Sequence, residues 1–374
     1  LTYPDWGCQI KMMSKKTIVV GMSGGVDSTM AAYILKEQGF NVVGVTMSIW
    51  DASIDIPDLG KSGCYGPGEK KDIEFAKKIC KKLGIEHHVL DLKKEYKENV
   101  LNYFCNEYVC GKTPNPCVMC NQKIKFGALL QKTKEAGIKF DNFATGHYVR
   151  VEQDPKAKRY LLKKAVDPKK DQSYFLSYLK QDQLSQLIFP LGEKTKTEIK
   201  KVAAELGFKD VAERTESQDF IETDDYSVLF NKNDIKPGNF VDVNGKKLGT
   251  HKGIVHYTIG QRKGLGISGG SSGILYVIKI DAKTNTVVVG PESYLLTKEL
   301  NAININWIAI PELTTPIKAS AKIRQQHKEA PVTITPIETG KVKAVFDETQ
   351  RAITPGQTVV FYDNDIVLGG GVIL

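Results

Sequence analysis

The chain has 374 residues, 41% hydrophobic and 25% charged, an ordinary globular composition that excludes collagen, coiled coil and wholesale disorder and predicts two or three domains at about 150 residues each. Its 52 Lys and Arg against 43 Asp and Glu give a formal charge of +9, which suits a polyanion such as nucleic acid and equally a lysine-rich solvated surface. No apolar run approaches the roughly 18 residues of a membrane span, and no basic start with an apolar core marks a signal peptide, so a cytoplasmic protein without a membrane partner is expected.

Residues 1–13 carry no periodicity and read as an extension before the fold. Residues 17–22 (TIVVGM) read as a short buried strand, and 29–38 as a helix stopped by Gly39, where positive φ costs little. Strand 41–47, helix 72–83, strand 88–90, a helix near 126–136 and strand 142–145 follow. Strand alternating with helix predicts an α/β domain with a parallel sheet covered on both faces, its ligand beyond the carboxyl ends of the strands. From Val241 onward short strands broken by turns such as Asn244-Gly245 and Asp363-Asn364 predict all-β structure. The last ~75 residues suit a small barrel. The expected division is a catalytic domain at 14–205, a small central domain at 206–285 and a β-barrel at 286–374.

Ser23-Gly24-Gly25-Val26-Asp27-Ser28 lies between the first strand and the first helix. Glycines let the backbone approach a phosphate, the amides of the turn and helix start point at the anion, and the serine hydroxyls add donors. It is not a Walker loop, which needs Lys-Ser/Thr where Asp27-Ser28 stands. Without that lysine the loop suits a pyrophosphate leaving group with a metal ion, Asp27 being near enough to help.

There are seven cysteines, Cys8, Cys64, Cys80, Cys105, Cys110, Cys117 and Cys120, all in the first third. An odd, clustered set speaks for reduced thiols rather than a secreted disulfide framework. Cys117-Val118-Met119-Cys120 lies between two prolines, Pro114 and Pro116, and the helix that follows. A thiolate there is expected to have a lowered pKa. A zinc half-site or buried cysteines are the plainer readings, although zinc needs two further ligands and none is adjacent.

The phosphate loop resembles that of the N-type ATP pyrophosphatases, which activate a carbonyl oxygen by adenylation. With the CxxC the whole chain resembles the tRNA-specific 2-thiouridylase family. The matching segments are 21–28, 111–116, Cys120-Asn121, 124–126 (IKF), 144–148 (ATGHY), 170–175 (KDQSYF), 258–266 (TIGQRKGLG) and 354–357 (TPGQ). The resemblance implies an ATP-dependent enzyme that replaces the C2 oxygen of the wobble uridine (U34) by sulfur. ATP with Mg2+ is the implied co-substrate, tRNA the substrate, and a sulfur-carrier protein, a cysteine desulfurase or sulfide the sulfur donor. Gly21, Met22, Ser23, Gly24, Gly25, Val26, Asp27 and Ser28 would hold ATP, bordered by Met47 and Gly146. Cys120 would be the nucleophile. Asn115, Pro116 and Cys117 would lie by the target base, and His147, Lys170, Asp171, Gln172, Arg324, Gln325 and Gln357 would touch tRNA.

The sequence departs from the family at Arg324-Gln325-Gln326, where members often carry a second arginine at the last position, and at one chemical point. Many members carry a second, persulfide-bearing cysteine after a Glu-Ser-type segment. Here that segment reads Glu216-Ser217-Gln218-Asp219-Phe220-Ile221, and no cysteine follows Cys120. Cys117 and Cys64 are therefore the candidates for a second sulfur. Alternatively, three thiolates at Cys64, Cys117 and Cys120 would hold a [4Fe-4S] cluster with one open iron. A different adenylating ligase or amidotransferase, or a non-catalytic RNA-binding protein with a zinc-bound CxxC, remain the other readings of the same motifs.

Overall fold

A computed structural model describes residues 16–57, 63–214, 219–267 and 273–374. The expected N-terminal extension with Cys8, and Glu216 to Gln218, lie outside the described residues.

The first sheet is wholly parallel, in the order β4-β2-β1-β5-β8, with β1 Thr17–Gly21, β2 Asn41–Ser48, β4 Glu86–Asp91, β5 Asn142–Ala144 and β8 Leu187–Ile188. Ile18, Val19 and Val20 are fully buried, because the sheet is covered on both faces and every side chain of its central strand meets a helix. Ile18 and Val20 pack on one face with α1 (Val26–Glu37), α2 (Glu69–Leu83) and the later helix Lys196–Glu205. Val19 packs on the other with helical runs 93–109 (α3) and 116–135 (α4). We number Lys196–Glu205 as α5.

Several elements start earlier than the sequence predicts. Helix α1 begins at Val26 rather than 29, because Gly25 serves as its N-cap in extended conformation. Helix α2 begins at Glu69 rather than 72. The CxxC lies inside α4 rather than ahead of it. Asn115 caps that helix by accepting from the Val118 N–H, and Pro116 takes the first helical position, where a missing N–H costs nothing. From Cys120 to Ala128 the run is π-helical, a wider turn that often marks functional sites.

Two further strands, β3 (Gly63–Tyr65) and β9 (Asp219–Ile221), form a separate parallel pair. The chain continues into a four-stranded sheet, β11-β10-β13-β12, with β10 Gly238–Val241, β11 Lys247–His251, β12 Tyr276–Asp281 and β13 Thr286–Gly290. The C-terminal strands are β14 Leu296–Trp307, β15 Ile317–Lys322, β16 Ala330–Glu338, β17 Lys341–Arg351, β18 Thr358–Asp363 and β19 Ile366–Ile373. They run in the order β14-β17-β16-β15-β18-β19 and close through β14–β19, the expected barrel. The hairpin β6 (Val149–Asp154) and β7 (Arg159–Lys164) leaves the first sheet and adds to β19 through Lys163 and Ile366. Pairing partners this distant in sequence are invisible to local periodicity. No helix among the described residues is long and apolar enough to cross a membrane.

Candidate active site

The nucleotide loop joins β1 to α1 at the carboxyl end of the sheet. Gly24 has φ +76°, which only glycine adopts cheaply. Ser28 Oγ accepts from the Ser23 N–H at 3.2 Å and lies 3.2 Å from Ser23 Oγ. It donates to the Gly25 carbonyl at 3.1 Å, which also receives Thr29 Oγ1 at 2.9 Å. Both hydroxyls are thus held at the mouth of the turn, where a phosphate would meet them.

Asp27 is tied from elsewhere. Lys196, at the start of α5, donates to both of its oxygens at 2.7 Å, and the Tyr148 hydroxyl donates to one at 2.8 Å. Lys196 is buried. The cation that the loop lacks in sequence reaches it from 169 residues away, so no motif search finds it. Gly146 must be glycine, since a Cβ there would lie 2.5 Å from the Asp27 carbonyl carbon and 2.7 Å from the Ser28 nitrogen. Met47 is half-buried near the end of β2, opposite Leu90 of β4.

The three candidate sulfurs share one core and lie near enough for each pair to interact electrostatically, Cys120 buried and Cys64 and Cys117 half-buried. Burial pushes Cys120 up to about 11 and Cys117 up to about 12, and raises Cys64. The lowered thiol pKa expected for this motif is therefore overturned: desolvation outweighs the opposing pull of Lys125, a cation that acts on all three. Lys125 went unnoticed in the sequence beyond its place in the IKF match. Burial works to discharge it, but Cys120, Cys64 and Cys117 face it and raise its pKa. Cys120 and Lys125 stand five residues apart. Five α-helical steps would leave them about 140° apart, whereas the π-helical stretch rotates them toward a common face.

Lys125 also acts on His147, whose pKa burial drives well below its ordinary value, so the ring is neutral. It bonds Thr145 Oγ1 through Nδ1 at 2.7 Å and packs between Phe126 and Phe189. Since His147 follows Gly146, the thiols and the nucleotide loop are linked through Lys125 and His147.

The residues expected to meet tRNA fall around these two centres in different states. Asp171 is buried and accepts from Ala165, Ser173 N–H and Ser173 Oγ. Gln172 accepts from the Tyr148 N–H, and Gln325 donates to the Asp171 carbonyl. Lys170 is half-buried at the turn before them. Gln357 donates to the Thr113 and Pro114 carbonyls at 3.0 and 3.3 Å, docking the segment before Asn115, Pro116 and Cys117 onto the barrel. Arg324 and Gln357 line an open cleft of about 270 Å³ with Thr113, Thr258 and Arg351. Arg324 lies close enough to Arg351 for their charges to repel, an arrangement suited to an anion.

Residues 16–222 match the family described as tRNA methyl transferase HUP domain, 227–291 its PRC-barrel domain and 297–373 an aminomethyltransferase beta-barrel domain. The chain is 48% identical over 366 residues to the tRNA-specific 2-thiouridylase MnmA of Acetivibrio thermocellus, covering 96% of this chain and all of that one. It is 52% identical over 362 residues to the tRNA-specific 2-thiouridylase MnmA 2 of Thermoanaerobacter sp., covering 95% of this chain and 97% of that one. With matches running through all three regions of the fold and at half identity over nearly the whole length, the chain belongs to the tRNA-specific 2-thiouridylase family.

Proposed function

We propose that the protein is a tRNA-uridine 2-sulfurtransferase that uses ATP to exchange the C2 oxygen of the wobble uridine (U34) for sulfur. One observation carries the reading: Lys125 faces three thiols on one side and His147, next to the phosphate-type loop, on the other, in a chain about half identical to relatives named for this activity. ATP would sit on residues 21–28 between Met47 and Gly146, and Mg2+ would offset the charge of its phosphates. The uridine C2 oxygen attacks the α-phosphate and pyrophosphate leaves. Adenylation is needed because a pyrimidine carbonyl oxygen does not otherwise depart. Sulfur carried by Cys120 then attacks C2 and AMP leaves with the oxygen. The base must come out of its stack to reach a thiol this buried. Neutral His147 beside the loop adds no charge that would repel Lys125.

The tRNA crosses from the catalytic domain to the barrel over Asn115, Pro116, Lys170, Arg324 and Gln357. Asp171, Gln172 and Gln325 shape the turn beneath it, since Asp171 and Gln172 accept, and Gln325 donates, hydrogen bonds within the protein. Among the described residues no three Cys, His, Asp or Glu side chains are placed to hold a metal ion. This reading uses Cys64, Cys117 and Cys120 as thiols. Because Cys120 carries the sulfur as a persulfide, the sulfur arrives at the oxidation level of a persulfide donor, in the cytoplasm.

The test is mass spectrometry of tRNA nucleosides after incubation with ATP and a sulfur donor. Formation of 2-thiouridine, with AMP released only when tRNA is present, supports the reading. ATP consumption without tRNA, or tRNA that binds and is unchanged, overturns it.

A further inference from the structure

Thiolation by a persulfide leaves a chemical problem that one cysteine does not solve. When the outer sulfur of a Cys120 persulfide attacks C2, the base becomes joined to Cys120 through a sulfur–sulfur bond. A second thiol must break that bond. No cysteine follows position 120, so this thiol comes from the first 117 residues.

The structure sorts the candidates. Cys80 is buried in the opposite layer, against Gly44 and Met22. The Cys105 thiol donates to the Leu229 carbonyl, and Cys110 is exposed at the end of its helix. Cys117 lies three residues from Cys120 on the same helical run, which holds their backbones at a fixed spacing. Cys64 approaches from a separate element. Its strand, β3, pairs in parallel with β9, Gly63 beside Asp219 and Tyr65 beside Ile221.

That pairing is closely fitted. A Cβ at Gly63 would lie 2.5 Å from the Ile221 carbonyl carbon, and one at Gly66 or Gly68 would lie 2.5 Å from a Glu222 carboxylate oxygen. Glu222 accepts the Gly68 N–H at 2.9 Å and its own N–H donates to the Tyr65 carbonyl. On the other side Glu69 accepts from Ile49 and Trp50 N–H and from Ser48 Oγ. Tyr65 stacks on Tyr96 with ring centroids 5.5 Å apart, and Tyr96 is itself near all three thiols. The loop carrying Cys64 is thus clamped at both ends against the pocket that holds Cys120. Asp219, across the ladder, is committed to the Tyr226 hydroxyl and the Phe220 N–H.

We propose that Cys64 is the resolving thiol, the residue that releases the transferred sulfur onto the base; this rests on the thiolation reading above. The Cys64 thiolate attacks the Sγ of Cys120. A Cys64–Cys120 disulfide forms, the bond from Cys120 to the transferred sulfur breaks, and its electron pair stays with that sulfur as the thiocarbonyl of 2-thiouridine. The two electrons that reduce the sulfane sulfur come from the two thiols. An external dithiol returns the disulfide to two thiols, supplying two electrons and two protons, before the next persulfide is loaded. Lys125 lies beside the sulfurs that carry negative charge along this path.

The experiment uses full-length protein loaded with persulfide by a persulfide donor, given ATP and tRNA for one turnover without reductant, then digested for mass spectrometry. Wild type should yield 2-thiouridine and a peptide pair joined through Cys64 and Cys120. Cys64→Ala should instead accumulate tRNA covalently attached to Cys120, up to one per enzyme, and dithiothreitol should release it as 2-thiouridine. Cys64→Ser should behave as Cys64→Ala, with an unchanged melting temperature showing that the fold is kept. A disulfide joining Cys120 to Cys117 or Cys8, or free 2-thiouridine from Cys64→Ala without added thiol, would overturn the assignment. Wild type that forms neither 2-thiouridine nor adduct would instead sink the thiolation reading itself.

Discussion

In the nucleotide loop the hydroxyl contacts span five residues or fewer, from Ser23 to Ser28 and from Gly25 to Thr29. The thiol pocket is assembled from β3, the start of α4 and β9, and the first and last of these are more than 150 residues apart in the chain. The loop therefore has a local signature of glycines and serines in fixed order. The pocket has none, and its chemistry depends on how three segments pack. Their electrostatics differ for the same reason. The loop offers donors at the rim of the sheet, whereas the pocket is dry enough for burial to outweigh a facing lysine and keep its thiols protonated.

The largest effect should come from Cys120→Ser, which removes the proposed nucleophile from the pocket and leaves the loop untouched. Formation of 2-thiouridine should drop roughly 10³-fold or more, measured by nucleoside mass spectrometry at fixed ATP and tRNA. Near wild-type yield would take Cys120 out of the reaction.

Two adjacent glycines sharpen the contrast within the loop. At Gly25 the backbone is extended and a Cβ would meet only Ser23 Oγ, at 3.5 Å. Gly25→Val should thus fold normally yet obstruct the phosphates, weakening ATP about tenfold or more, or ~1.4 kcal/mol. Gly24→Ala faces positive φ and crowding by Arg214 at 3.1 Å, so it should cost about 1–2 kcal/mol of stability. Thermal melts and ATP titrations separate the two, and equal effects on both readouts would break the distinction.

Glu222→Gln weakens the clamp on the pocket alone. Losing a buried, charged acceptor should cost about 1–3 kcal/mol and speed alkylation of Cys64 in native protein. Unchanged alkylation would mean that the carboxylate does not hold the loop.

The smallest effect is alkaline. Cys120 is raised from 9.0 to about 11 and Cys117 from 9.0 to about 12 in the folded state. Each favours the folded protein while neutral. Their contribution is whole below pH 9 and is lost as pH rises through the folded values. Denaturant midpoints should fall across that window, and less so in Cys120→Ala. Iodoacetamide should still label Cys120 faster with each step up to pH 10; a plateau near pH 8 would contradict the burial argument.

The α/β domain, the barrel and the glycine–serine loop were legible in the sequence, because each rests on a period, a turn or a motif confined to neighbouring residues, and the CxxC named Cys120 as a candidate. Tertiary structure alone decided the rest. It brought Lys196 to Asp27, seated the hairpin 149–164 on the barrel, committed Asp171 and Gln172 to internal bonds, and placed Cys64 and Lys125 with Cys120. It also reversed the expected direction of the thiol pKa. A motif states which groups are present, but desolvation and charge depend on what packs around them, and here the packing comes from segments the chain keeps far apart.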